Sequence, residues 1–166
     1  MTIEYIPNTG FKLNSVLFAW NDARNVLRGN LNLKHKADDR VIDLAKYWDG
    51  DESKNIKQRR DIYEDYGGAD NYFFLNYSED DKLESLELHS GATIVIGGFV
   101  LHFDDDFDEC VGGLDKIDSE KIELEEGSYL FKNLKITIAN SESLGGDGNG
   151  LGYFYASRDI SHLLEE

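Results

Sequence analysis

The sequence has few of the residues that mark several common protein classes. Its 166 residues contain one cysteine and one proline. A single cysteine excludes an internal disulfide and the multi-cysteine zinc motifs. A proline-poor chain with 12% aromatic residues is not typical of disordered proteins. We therefore expect one folded domain over residues 1–166, a length at which a chain buries about 70% of its unfolded surface.

Long apolar runs are also missing. No stretch of 18 or more apolar residues occurs, so the sequence predicts no transmembrane helix. The first ten residues lack the basic start and apolar run of a secretion signal. These features favour a cytoplasmic protein with no membrane partner.

Positive charge is scarce in most of the chain. The net charge is -16, but residues 1–60 carry 11 Lys and Arg against 8 Asp and Glu, while residues 61–166 carry 6 against 25. Such an acidic region repels nucleic acid and steers basic proteins toward it. Solubility alone is the simpler explanation of the same charge.

Apolar spacing predicts helices in three places. In "SVLFAWNDARNVLRG" (residues 15–29) apolar residues recur every three or four positions, and "DDRVIDLAKYWDG" (residues 38–50) shows a similar stripe. The ending "SRDISHLLEE" (residues 157–166) predicts a short amphipathic helix. The polar residues 51–70 predict a loop or a mobile surface helix.

Strand-like segments dominate the rest of the chain. "IEYI" (residues 3–6) predicts a short edge strand that Pro7 ends. "NYFFLNY", "KLESLELH", "ATIVIG" and "FVLHF" predict an antiparallel meander, and "SYLFKNLKITIAN" and "LGYFYAS" follow around a glycine-rich loop. We expect an α+β fold, with an antiparallel sheet of about seven strands packed against two or three helices.

A weak internal echo suggests that two related units build this fold. "GFKL" (residues 10–13) leads into "NVLRGNL", and "GFVL" (residues 98–101) leads into "ECVGGL". Aromatic strand starts follow at Asn71 and Ser128. The echo predicts a short helix over residues 104–113 that matches one at residues 16–28, although chance similarity is an alternative.

The stretch "HFDDDFDEC" (residues 102–110) is the most unusual segment. On a strand, His102 and alternate aspartates would share one face and offer metal ligands. The spacing does not fit an EF-hand, which needs glycine at its sixth position, where this chain has Glu109. The ordinary interpretation is a helix start with Asp104 or Asp105 as N-cap. Docking of a basic partner is compatible with that capping.

Other motifs give little support for catalysis. "GGDGNGLG" (residues 145–152) has no lysine and precedes a strand, which favours a hairpin loop over a phosphate site. His89 and His102 could approach each other across the meander, a weak indication of a catalytic pair. Cys110 lies among acids that raise its thiol pKa, so we expect a buried apolar role. The sequence predicts no cofactor and no resident metal.

The helix ending "NVLRGNL", the segment "YFFLNYSEDDKLESLEL" and "GGFVLHFDDDFDE" together resemble immunity proteins of bacterial toxin systems, including contact-dependent growth inhibition. The resemblance implies a non-enzymatic inhibitor that binds one cognate toxin, often a basic nuclease. From the charge pattern we expect its contacts in two acidic segments, first Asp104, Asp105, Asp106, Asp108 and Glu109, then Glu79, Asp80 and Asp81. A general adaptor domain and a metal-dependent hydrolase that uses His102 are the alternatives.

Overall fold

Two sheets pack face to face around a core rich in aromatic residues. The computed structural model describes residues 1–68 and 70–164. Within them lie two helices, α1 (Arg24–Leu31) and α2 (Phe107–Asp115). The strands are β1 (Thr2–Ile6), β2 (Gly10–Leu13), β3 (Val16–Ala19), β4 (Lys36–Ala37), β5 (Arg40–Ile42), β6 (Ile56–Gln58), β7 (Arg60–Glu64), β8 (Tyr72–Tyr77), β9 (Leu83–Ser90), β10 (Thr93–Ile96), β11 (Phe99–His102), β12 (Lys121–Glu125), β13 (Ser128–Phe131), β14 (Ile136–Asn140) and β15 (Leu151–Ser157).

The larger sheet is antiparallel and has eight strands in the order β12-β13-β14-β15-β9-β8-β7-β4. The smaller sheet is mixed, with the order β11-β10-β1-β2-β3, and β5 and β6 form a separate pair. The predicted α+β class is confirmed, with more strands than expected. No helix in the described part of the chain is long and apolar enough to cross a membrane.

Alternation along the strands explains how the sheets meet. In β8, Phe73, Leu75 and Tyr77 are buried in the core, while their neighbours point to the opposite face. Across the interface, the Tyr5 ring on β1 meets Phe154 on β15 edge to face at 6.2 Å. The Tyr5 hydroxyl donates a 2.6 Å hydrogen bond to the Leu134 carbonyl, which satisfies a buried polar group.

The architecture is an internal duplication. The hairpins β2–β3 and β10–β11 have the same pairing register, and equivalent residues are 83 positions apart. Both hairpin turns place two consecutive residues at positive φ, Asn14 and Ser15 in one and Gly97 and Gly98 in the other. Helices α1 and α2 also begin 83 positions apart. Residues 10–31 and 93–114 are therefore structural equivalents without a gap.

The same backbone hydrogen bonds connect each hairpin to the large sheet. Asn21 N–H bonds to the Leu83 carbonyl at 3.0 Å, and Leu83 N–H bonds to Asp22 at 2.9 Å. In the second copy, Asp104 N–H bonds to Leu151 at 3.0 Å, and Leu151 N–H bonds to Asp105 at 2.9 Å. Leu83 and Leu151 each begin the last strand of their unit.

A pseudo-twofold axis relates the halves of the large sheet. Strands β4, β7, β8 and β9 correspond to β12, β13, β14 and β15, and the halves join where β9 pairs with β15. Glu87 pairs with Tyr155 at the centre of that junction. We call residues 10–90 the first unit and residues 93–157 the second unit.

The sequence echo therefore predicted the duplication correctly but matched the wrong residues of the two units. Gly10–Leu13 corresponds to Thr93–Ile96, whereas residues 98–101 correspond to residues 15–18. Helix α2 was expected over residues 104–113 and occupies Phe107–Asp115. The expected match over residues 16–28 is a strand followed by α1. The similar segments "GFKL" and "GFVL" lie on the first strand of one hairpin and the second strand of the other.

The predictions for residues 38–50, residues 51–70 and the chain end were wrong, whereas the strands predicted at residues 3–6 and in the meander were correct but lie at other places in the sheets. Residues 38–50 form β5 and a 3-10 turn, and residues 51–70 include β6 and β7. The chain end forms a 3-10 turn at Ser161–Leu163, and residues 165 and 166 lie outside the described residues. β1 is the central strand of the small sheet, not an edge. The expected meander is divided, since β8 and β9 belong to the large sheet and β10 and β11 to the small one.

Candidate functional site

The acidic segment after β11 forms a tight turn into α2. Asp104 has a φ of 69°. The Asp105 carboxylate accepts a 2.7 Å hydrogen bond from His102 N–H, and Asp106 accepts one of 3.0 Å from Glu109 N–H. The N-cap is therefore Asp106, two or one residues later than predicted. The predicted change from strand to acid-capped helix is confirmed.

Most of these carboxylates face solvent after the capping bonds are formed. Asp104, Asp106, Asp108 and Glu109 are exposed, and Asp105 is half-buried. In the second predicted segment, Glu79 and Asp80 are exposed, and Glu79 pairs with Lys57 at 3.1 Å.

Asp81 is engaged inside the chain. Its carboxylate lies 2.7 Å from Arg59 and 3.2 Å from Arg24. It is therefore less available to a partner than the sequence suggested.

The structure does not bring the two acidic segments together. One bonds to Leu151 at the start of β15, and the other immediately precedes Leu83 at the start of β9. β15 and β9 are antiparallel neighbours, and Tyr155 pairs with Glu87. Eight residues of strand, about 26 Å, separate the two ends along the strand direction. Each segment therefore belongs to a different end of the molecule.

Beside α2, carboxylates surround a cleft of about 500 Å³ that we call the acidic cleft. Asp108 comes from the first turn of α2, Glu123 and Glu126 from the β12–β13 hairpin, and Glu142 from the turn after β14. No lysine, arginine or histidine lines the cleft among the residues that the structure describes. The same described residues contain no cluster of three or more acids and histidines close enough to hold a metal ion.

The floor of the acidic cleft combines aromatic rings with a fixed amide. The rings of Phe107 and Tyr129 lie 6.1 Å apart between centroids. The Asn140 side chain donates to the Asn149 side chain at 2.9 Å and accepts from Ser143 N–H at 2.8 Å. A Cβ at Gly127 would lie 2.6 Å from Asn140, so glycine leaves the room this amide occupies. The floor thus combines aromatic rings with fixed polar groups beneath the charged rim.

Sequence reasoning found only one of the four rim carboxylates, Asp108. It missed Glu123, Glu126 and Glu142 because they come from different elements that only the fold brings together. A signal was present in "KIELEEG" (residues 121–127), where a strand pattern carries three glutamates. All five residues of β12 are exposed, which explains its high charge.

The first unit fills the equivalent space with its own ions, which we call the arginine cluster: Arg24, Arg28, Asp39, Arg59, Asp61 and Asp81. Arg24 on α1 is only 5% exposed and lies 2.6 Å from Asp61, which is fully buried. Its two terminal nitrogens also bond to both oxygens of Asp39 at 2.9 Å. The Arg24 guanidinium stacks over Tyr77 at 4.8 Å.

Ion pairing keeps the buried carboxylate charged. Burial acts to raise the pKa of Asp61, but hydrogen bonds from Arg28 and Arg24 outweigh it and lower the pKa to about 2. For Arg24, burial acts to lower the pKa, but hydrogen bonds from Asp61 and Asp39 raise it further above its usual value. Removing one member of such a network leaves an uncompensated buried charge.

The duplication makes the two sites directly comparable. Arg24 corresponds to Phe107, since both start their helix. Asp61 corresponds to Tyr129 through the registers of β7 with β8 and of β13 with β14. The second unit therefore has an aromatic pair where the first unit has a buried ion pair. Carboxylates remain around it without internal arginines.

A broader cleft of about 620 Å³ lies at the junction of the two sheets. His89 and His102 both line this cleft with Asp70 and Asp104, but they lie on strands of different sheets and not across one meander as predicted. His102 bonds to the Thr93 hydroxyl at 3.1 Å, and His89 lies 3.7 Å from Glu87. These contacts account for each ring separately and do not link the two histidines.

Cys110 is buried on the inner face of α2, as expected. Burial, reinforced by the charges of Asp105, Asp106 and Glu109, raises the pKa of its thiol to about 11. It packs in the core and is not positioned as a nucleophile.

No protein-family model, curated protein or solved structure matches this chain. The fold defines the class as α+β with an eight-stranded antiparallel sheet. The contrast between the arginine cluster and the acidic cleft is the most specific functional indication in the structure.

Proposed function

We propose that this protein is a non-enzymatic, protein-binding inhibitor of the immunity-protein kind that neutralises a cognate toxin in the cytoplasm. The observation that supports this most is the acidic cleft. Four carboxylates surround an aromatic floor with no basic residue in its described lining, at the position where the first unit buries its own Arg24.

The arginine cluster suggests what would fill the cleft. In the first unit, a guanidinium lies between carboxylates and an aromatic ring. The acidic cleft offers the same two groups, carboxylates and rings, but supplies no cation. An arginine or lysine of a partner would provide it, and planar guanidinium suits both carboxylates and aromatic faces.

A toxin that binds nucleic acid fits this surface best. Its phosphate-binding groove must be basic, and complementary charge raises association rates by about 10- to 1000-fold. Rapid capture protects a cell that makes its own toxin. The half-buried Tyr129 ring, packed against Phe107, would provide the apolar contact that exposed charges alone do not.

Within this proposal, Asp108 is the central residue of the predicted set. Asp104, Asp105, Asp106 and Glu109 extend the acidic surface along the same turn, and Glu123, Glu126 and Glu142 join it from other elements. Glu79 and Asp80 would act at most as a second contact, because they lie at the other end of the sheet. Asp81 supports the arginine cluster instead.

The test uses the product of the adjacent gene as the candidate toxin. We expect co-expression to rescue growth and stopped-flow mixing to show fast association that slows as salt rises. The triple variant Asp108→Asn, Glu123→Gln, Glu126→Gln should slow association about 10-fold or more at low salt. The matched control is the triple variant Glu4→Gln, Asp49→Asn, Glu52→Gln, which removes the same number of exposed acids outside the acidic cleft.

Two results would overturn the proposal. One is an adjacent gene product that neither inhibits growth nor binds this protein. The other is binding in which the triple variant and its control behave alike, which would place the interface elsewhere. Circular dichroism of each variant establishes that the fold is retained, since the substituted residues are exposed.

A further inference from the structure

The outer face of the large sheet, opposite the core, forms another pocket that the proposed inhibitor function does not use. Its volume is about 330 Å³, within the range of small-ligand sites. Six side chains from four strands form its floor: Asn76, Ser85, Glu87, Thr137, Tyr153 and Tyr155. We call it the sheet-face pocket.

Curvature of the sheet creates this pocket. Leu124 on β12 and Asn76 on β8 line the same pocket, although four strands lie between theirs in the sheet. In a flat sheet five strand spacings would separate them by about 24 Å. The large sheet therefore curls with its outer face concave, and His162 in the last 3-10 turn contributes another wall.

Glu87 provides a fixed negative charge at the pseudo-twofold axis. Burial acts to raise its pKa, but the nearby His89 ring and hydrogen bonds from Asn76 and Tyr153 outweigh it and lower the pKa. Asn76 donates at 2.6 Å and the Tyr153 hydroxyl at 3.0 Å, one to each carboxylate oxygen. Among the described residues, no lysine or arginine lies within 4 Å of this carboxylate, and His89 is 3.7 Å away.

Aromatic rings pack around His89, next to the carboxylate. The His89 ring lies between Phe74 at 4.6 Å and Tyr153 at 5.2 Å, measured between centroids. Next to them, the Arg60 guanidinium stacks over Phe74 at 4.5 Å and pairs with Asp38 at 2.8 Å. This face thus already holds one guanidinium between a ring and a carboxylate, and Glu87 with its tyrosines offers a second such place.

An unsatisfied hydroxyl marks the other end of the pocket. Thr137 is 6% exposed, and its Oγ1 has no hydrogen-bond partner within the part of the chain that the structure describes. Buried polar groups normally have partners. Thr137, Tyr155 and Glu87 are direct neighbours in one row across β14, β15 and β9. The hydroxyl therefore lies about 10 Å from Glu87, two strand spacings away.

We propose that the sheet-face pocket binds an alkyl-guanidinium or alkyl-ammonium ligand. The cationic head would pair with Glu87, the methylene stem would cross the Tyr155 ring, and a second polar group would donate a hydrogen bond to Thr137 Oγ1. A cation held between a carboxylate and aromatic rings is strongly favoured when water is excluded. Such a group is present in free polyamines and in arginine side chains of proteins.

The experiment is calorimetric titration of the full chain at low salt with two probes. Agmatine represents a free alkyl cation, and Nα-acetylarginine amide represents an arginine within a polypeptide. Pentanol, which has a stem and a polar end but no charge, is the neutral comparator. We expect saturable binding of agmatine and none of pentanol. Binding of the arginine amide as well would assign the pocket to protein side chains, whereas agmatine alone would assign it to small metabolites.

Three variants locate the ligand. Glu87→Gln should weaken agmatine binding about 10- to 100-fold, because a charged hydrogen bond is lost. Thr137→Val keeps the shape of the side chain but removes the hydroxyl, and it should weaken agmatine binding about 2- to 10-fold. Glu4→Gln, an exposed acid on the other sheet, should bind as the original chain does.

The idea fails if neither cation binds, if pentanol binds equally well, or if Glu87→Gln binds as tightly as Glu4→Gln. Chemical shift changes confined to the acidic cleft would also overturn it. Because the inhibitor function is tested by association with a toxin and this one by small cations, either can fail alone.

Discussion

Arg24 donates a 2.6 Å hydrogen bond to the buried carboxylate of Asp61, at the position where the second unit packs Phe107 against Tyr129. Asp61 also accepts two hydrogen bonds from Arg28, at 2.8 and 2.7 Å. One fold position thus accepts either a buried ion network or an aromatic pair.

Replacing Asp61 with Asn should destabilise the protein by about 3–5 kcal/mol, because Arg24 loses its buried counter-charge. The free energy of unfolding in urea measures this. Glu4→Gln removes an exposed carboxylate and should change stability by less than about 0.5 kcal/mol. A loss below about 1 kcal/mol for Asp61→Asn would show that Asp39 and Asp81 alone hold Arg24.

Acid should unfold the protein partly through Asp61. Its folded pKa of about 2 lies below the unfolded value of about 3.9. The resulting stability is present above the unfolded pKa and is lost as pH falls toward 2. Thermal denaturation from pH 6 to pH 2 should show this decline, and Asp61→Asn should show a shallower one. Equal slopes for the two proteins would contradict the assignment.

The aromatic pair of the second unit should be transferable to the first. Arg24→Phe alone leaves the buried Asp61 carboxylate with one remaining arginine. Asp61→Tyr alone leaves Arg24 without its buried carboxylate partner. The double variant removes both charges. We expect its loss in free energy of unfolding to be smaller than the sum of the two single losses by at least about 1 kcal/mol. A double-mutant cycle in urea measures this coupling, and strict additivity would mean that the positions are not equivalent.

Asp106→Ala should cost about 1 kcal/mol, since it removes the side-chain cap of α2. Asp106→Ser removes the charge but keeps a capping oxygen, so its loss should be only a few tenths of a kcal/mol. Thermal unfolding of both variants separates the roles. Equal losses would indicate that charge at the helix start matters more than the capping bond.

Cys110 should be unreactive in the folded protein. Its thiol is buried, and its pKa of about 11 leaves almost no thiolate at pH 8. Ellman's reagent should therefore give colour only as the protein unfolds in urea, with the same midpoint as circular dichroism. Fast labelling without denaturant would mean that α2 opens locally.

Much of the fold could be predicted from local pattern. The strands β8, β9, β13, β14 and β15 alternate or carry β-branched and aromatic residues, and each was recognised. Short elements were missed where the sequence has helix-like spacing, as at residues 16–19, because pairing in a hairpin overrides a weak local preference. The mixed pairing of β1 depends on contacts with residues some 90 positions away, which no local window contains.

The sequence by itself determined a folded chain without disulfides, an acidic second half, an α+β class and an acid-capped helix after β11. These follow from composition and from patterns within a few residues. Only the tertiary structure decided which carboxylates are free. Asp81 lies against Arg24 and Arg59, whereas Asp108 meets three distant glutamates with no basic neighbour lining their cleft. Charge pairing depends on distance in space, and the duplicated sheets bring together residues that the chain keeps far apart.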